Sequence, residues 1–149
     1  MTKEILLSIK GLQFLEDNNE DEIEVITTGT YFQKDGRHYI KYDEVMEGLE
    51  GKIQNLIKIN GKSMEVTKRG LSNVHMVFEE NKKNVTYYDT PFGNLLVGIA
   101  ATNIDLNESK DIIDVKVDYA LEVNYEHLAD CTISMNIQAK DMKRPHLLQ

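Results

Sequence analysis

The chain has 149 residues, with 17 Lys+Arg against 25 Asp+Glu for a formal charge of −8, and 41% of it is hydrophobic. That length points to one domain over residues 1–149, and ordinary apolar and charged content with only 2 Pro and 9 Gly excludes long disorder and collagen-like or low-complexity structure. An acidic chain whose only guanidinium forks are Arg37, Arg69 and Arg144 is a poor match for nucleic acid or an anionic membrane.

A hydrophobic period of two runs through nearly the whole chain and predicts strands, with helices almost absent. The first strand, at about 3–16, opens on an apolar run of only Ile5-Leu6-Leu7, too short for a signal-peptide core. No later stretch approaches the roughly 20 apolar residues of a membrane helix, so a cytoplasmic chain is expected. The apolar phase Ile5, Leu7, Ile9 shifts to Leu12 and Phe14 across Gly11, as a glycine bulge would make it. In the loop that follows, Asp17, Asn19 and Asp21 have calcium-loop spacing. However, Glu22 stands where a Gly must turn the chain and Thr28 where a bidentate Glu is needed, so a solvated acidic loop is expected.

Strands at about 21–33 and 37–46 flank the turn Lys34-Asp35-Gly36, and strands at about 51–60 and 63–69 flank Asn60-Gly61. Strands at about 73–79 and 84–89 flank Asn81-Lys82-Lys83, and Thr90-Pro91-Phe92-Gly93 turns the chain into a strand at about 93–106. The last two strands are the clearest. Ile113, Val115, Val117, Tyr119, Leu121 and Val123 share one face, as do Ala129, Cys131, Ile133, Met135, Ile137 and Ala139, with a hairpin expected through Tyr125-Glu126-His127-Leu128. The lone Cys131 forms no intrachain disulfide, which fits a reducing cytosol, and its phase puts the thiol inside.

Ten strands with short connections imply an antiparallel meander that either stacks as two sheets or closes on itself. Closure removes exposed edges, so an all-β, up-and-down barrel with the last strand paired to the first is the expected fold.

Thr27-Thr28-Gly29-Thr30-Tyr31, Tyr39-Ile40-Lys41-Tyr42-Asp43-Glu44, Arg69-Gly70 and Tyr88-Asp89-Thr90-Pro91-Phe92-Gly93 follow one another in that order. Together they resemble the YwiB-like family of bacterial proteins, over about Lys3 to Lys140. The resemblance implies a lipocalin-like, or calycin-like, antiparallel barrel of about 8–10 strands and brings no catalytic residues with it. The chain has no Trp, where true lipocalins carry an early one.

Serine-hydrolase, NTPase and zinc motifs are absent from the sequence, and His38, His75, His127 and His146 show no metal-ligand spacing, so neither cofactor nor metal is expected. His75 and Glu79 share the outward face opposite Val74, Met76 and Phe78 and read as a solvated pair. Met64, Met76 and Met135 read as core filler.

Four phenols are in phase with inward residues: Tyr31 with Val25, Tyr42 with Ile40, Tyr87 with Val85, and Tyr119 with Val117 and Leu121. Buried phenols need partners. Glu44 is in phase with Tyr42, and Arg69 joins that face if a bulge falls near Lys68. Tyr31, Tyr42, Glu44 and Tyr119 are therefore expected to border an internal cavity with Arg69 at one mouth, the small Thr27, Gly29, Ala101, Ala129 and Ala139 leaving space. On this reading the chain is a non-enzymatic barrel binding a small amphiphilic molecule in its lumen. Two alternatives stay open: a filled structural or protein-interaction module, and a small enzyme with Glu44 as acid–base and Arg69 stabilising an anion.

Overall fold

The computed structural model describes residues 2–11 and 24–140. Ten strands follow in chain order: β1 (Thr2–Lys10), β2 (Glu24–Lys34), β3 (Arg37–Glu44), β4 (Ile53–Ile59), β5 (Ser63–Gly70), β6 (Val74–Glu79), β7 (Lys82–Thr90), β8 (Gly93–Ser109), β9 (Ile112–Val123) and β10 (Glu126–Ala139). There is no helix among the described residues. All ten belong to one antiparallel sheet, in the order β6-β5-β4-β3-β2-β1-β10-β9-β8-β7. The first and last strands pair as expected, Ile5 opposite Ala139 and Ile9 opposite Met135.

The incomplete joint lies inside the chain, between β6 and β7. These strands are joined through Glu80-Asn81, yet their backbones meet at only one antiparallel bridge, where Asn73 and Asp89 exchange N–H···O bonds of 2.8 and 2.9 Å. Between bridge and turn a side chain substitutes for the ladder, Asn84 Nδ2 donating to the Val77 carbonyl at 3.2 Å. The barrel is thus nearly closed.

This seam explains one departure from the sequence pattern. Tyr87 and Val85, expected inside, are 71% and 52% exposed. Asn84 must face β6 to satisfy Val77, and period two then sends Thr86 and Tyr88 inward and Val85 and Tyr87 outward.

Two bulges bend the long final strands, between Ala101 and Asn103 on β8 and between His127 and Ala129 on β10. The last hairpin turns at Asn124-Tyr125, both at positive φ, and Glu126, His127 and Leu128, expected in the turn, belong to β10. The shift expected across Gly11 involves Leu12 and Phe14, which lie outside the described residues, as do the acidic loop 16–22 and His146.

Large side chains fill the barrel centre. Phe78 packs edge-on to Tyr119 with ring centroids 5.1 Å apart, and Ile57, Met64, Met76, Leu121 and Ile133 around them are buried. At about 25 cal/mol per Å² of apolar surface removed from water, burying these side chains stabilises the closed sheet. Cys131 is only half-buried, less than Ile133 and Met135 with which it shares phase, and it lies opposite Tyr119.

Candidate functional site

The polar groups that face the interior form separate clusters at the two ends of the barrel. At one end the β2–β3 hairpin turns through Asp35-Gly36, both at positive φ, and brings Tyr31 and His38 together on its inner face. Tyr31 Oη lies 2.7 Å from His38 Nδ1, and His38 Nε2 lies 3.1 Å from Glu108 Oε2. Glu108 comes from the far half of β8, where the bulge after Ala101 turns Ile104, Leu106 and Glu108 toward the mouth. Glu80 supports that bend, its Oε2 accepting the Ile104 N–H at 2.9 Å.

Donor accounting fixes the protons for a neutral ring. The Glu108 carboxylate only accepts, so His38 carries its proton on Nε2, and Nδ1 then accepts from the Tyr31 hydroxyl. Burial, and then the negative charge of Glu108, raises the Tyr31 pKa above the ordinary phenol value, so Tyr31 keeps its proton. His38 is 2% exposed, whereas the Glu108 side chain is 52% exposed and looks onto solvent.

Beside this chain of hydrogen bonds is a cavity of about 200 Å³. Ile5, Ile113, Ile137 and Ala139 make an apolar floor, while Tyr31, Glu108, Lys3 and Asp111 make a polar rim. A second hollow, of about 350 Å³, lies against the outer face of β1, β8, β9 and β10. Within it Ser8 donates to Glu24 at 2.6 Å and Asn136 to Asp114 at 2.7 Å.

The opposite end holds Glu44. Tyr42, Asn55 and Lys68 stand in one row across β3, β4 and β5. Lys68 Nζ donates to Glu44 Oε1 and to Asn55 Oδ1, both at 2.8 Å, and Asn55 Nδ2 donates to Glu44 Oε1 at 2.9 Å. The cation is therefore Lys68, not Arg69: no bulge breaks β5, Lys68 continues the inward set Met64 and Val66, and Arg69 is exposed. Tyr42 is buried against this cluster, and desolvation, then Glu44 and Tyr88, raise its pKa.

The expected site residues are thus not one constellation. Tyr31 borders the mouth cavity, Tyr42 and Glu44 belong to the opposite end, Tyr119 packs in the centre against Phe78, and Arg69 is outside. His75 is on the outer face as expected, but it pairs with Glu65 of the neighbouring strand at 2.9 Å instead of Glu79. His38 and Lys68 were the missed residues, although both are in phase with apolar neighbours, Ile40 and Val66. No group of three His, Cys, Asp or Glu among the described residues is placed to hold a metal. No helix there is long and apolar enough to cross a membrane.

Comparison with known proteins gives consistent matches. The family described as Domain of unknown function (DUF1934) matches residues 7–135. The uncharacterised β-barrel protein YwiB of Bacillus subtilis (strain 168) is 29% identical over 132 residues, covering 87% of this chain and 91% of its own. The crystal structure of the ywiB protein from Bacillus subtilis superposes with a TM-score of 0.76 at 20% identity, covering 93% of this chain and 92% of that one.

Proposed function

The chain belongs to the DUF1934 family, and on that premise we propose that it is a non-enzymatic binding protein taking one small amphiphilic molecule in the barrel mouth at the His38 end. The observation that carries this reading is the cavity of about 200 Å³ in which an isoleucine floor meets the Tyr31–His38–Glu108 chain. An apolar hollow with a few convergent polar groups is the usual form of a small-molecule site. The filled centre around Phe78 and Tyr119 limits the ligand to the mouth, so the seat is shallower than a hollow lumen would provide. Drug-sized ligands occupy pockets of roughly 300–1,000 Å³, so this molecule is smaller than those. The lone, half-buried Cys131 is compatible with a reducing cytoplasm, where such a carrier would work.

A thermal-shift screen with short alkanols, alkylamines, alkanoates and small aromatic alcohols tests this reading. A ligand present at a hundredfold excess over its Kd stabilises the fold by about 2.7 kcal/mol. Ser109 lines the cavity and is exposed, so Ser109→Phe should block the mouth while sparing the core. The expected result is a shift in the native protein that disappears in Ser109→Phe. A shift that survives the block places the ligand elsewhere, and no shift across the screen leaves a filled structural module as the better account.

A further inference from the structure

We propose that the mouth selects a protonated amine, so that its ligand is a small cationic amphiphile whose ammonium group sits against Glu108. This rests on the mouth being a binding site and adds what that site recognises. The His38 Nε2–H donates to Glu108, and Nδ1 accepts from the Tyr31 hydroxyl. The Tyr31 oxygen, its own proton committed, then offers lone pairs to a ligand. A carboxylate has about four acceptor positions, and a single imidazole N–H fills one of those on Glu108.

Asp111, in the β8–β9 turn, adds a second carboxylate to the cavity wall. Its own backbone carbonyl accepts the Ala139 N–H at 3.0 Å, which fixes the turn against β10. Among the described residues of the lining one cation stands against these, Lys3, directly opposite Tyr31 on β1. Two carboxylates and one ammonium leave these described residues with an excess negative charge, on a chain whose formal charge is already −8. An ammonium offers three N–H donors and a positive charge to such a rim, and its alkyl body matches the floor of Ile5, Ile113 and Ile137. A carboxylate ligand would find Lys3 but would face Glu108 and Asp111.

The test compares three probes with the same six-carbon chain, n-hexylamine, 1-hexanol and hexanoate, by calorimetric titration of the full chain near pH 7. The amine is expected to bind about tenfold tighter than the alkanol, a charge-assisted hydrogen bond discounted for the exposure of Glu108, and hexanoate weakest. Glu108→Gln should remove most of the amine's advantage over the alkanol. In the native protein, raising the salt concentration should narrow the amine's advantage in the same way, which needs no variant to fold. Hexanol or hexanoate binding as tightly as the amine overturns the inference while leaving the mouth as a binding site. An amine preference that survives Glu108→Gln overturns the role of Glu108. Failure of all three probes to bind overturns both readings.

Discussion

His38 donates a 3.1 Å hydrogen bond to Glu108 across the mouth of the barrel, although β3 and β8 are not neighbours in the sheet and 70 residues separate the two. The bond ties the bent half of the β8–β9 hairpin to the opposite wall. It also sets the histidine tautomer and, through it, the direction of the Tyr31 hydrogen bond.

The two ends of that bond should differ in energetic weight. His38 is buried, so His38→Ala creates a cavity and strips Tyr31 of its acceptor, costing about 2–4 kcal/mol. Glu108 is half-exposed, so Glu108→Gln should cost less than about 1 kcal/mol. Urea unfolding of both variants checks the order. Equal losses would show that the carboxylate is a structural prop and not a rim group.

The buried pair at the opposite end should behave in the reverse manner. Lys68→Met takes the ammonium away from the Glu44 carboxylate and should cost about 3–5 kcal/mol. Adding Glu44→Gln in the same chain removes the carboxylate charge and should restore most of that loss. A double-mutant cycle in denaturant measures the coupling, and strictly additive losses would contradict a direct ion pair.

Alkaline pH should unfold the barrel through its phenols. Burial raises the pKa of both Tyr42 and Tyr119 above the ordinary phenol value. An acid whose native pKa is raised stabilises the fold fully below its unfolded value and loses that contribution as pH climbs toward the native one. Stability should therefore hold below about pH 10 and fall above it, by up to about 1.4 kcal/mol per pH unit for each phenol still protonated in the native state. Urea midpoints between pH 8 and 11.5 check this, with Tyr42→Phe expected to flatten the decline. A decline just as steep in that variant would assign the effect to other groups.

Cys131 should react with thiol reagents more slowly in the native protein than in the denatured one. Burial pushes its thiol up, so less thiolate is present at neutral pH, while its half-buried position still allows access. Labelling kinetics near pH 7.5 decide the matter, and equal rates in the two states would mean that the thiol lies on the outer face.

The sequence made the sheet legible because one face of each strand must leave water. Alternation along Ile113–Val123 and Ala129–Ala139 marked the long final strands, and the turn at Asp35-Gly36 placed the second hairpin. Alternation says nothing about which strands lack a full ladder, so the β6–β7 seam was invisible, and with it the reversal of Tyr87 and Tyr88. The cation was misplaced for a related reason. Arg69 reaches the Glu44 face only through a bulge near Lys68, whereas the unbroken period two of β5 delivers Lys68 itself. Tyr31 was legible as an inward phenol, but its partners were not. The approach of Glu108 depends on a bend in β8 that brings together residues far apart in the chain.

Isoleucine-methyl NMR gives the most direct measure of whether the mouth is the binding site. Ile5, Ile113 and Ile137 line the cavity floor, and Ile53 lies opposite Glu44 at the other end of the barrel. In titrations with 1-hexanol and n-hexylamine, the methyls of the first three should shift progressively and saturate together, with Ile53 unmoved. Shifts greatest at Ile53, or mouth methyls that stay fixed at saturating probe, would contradict the account.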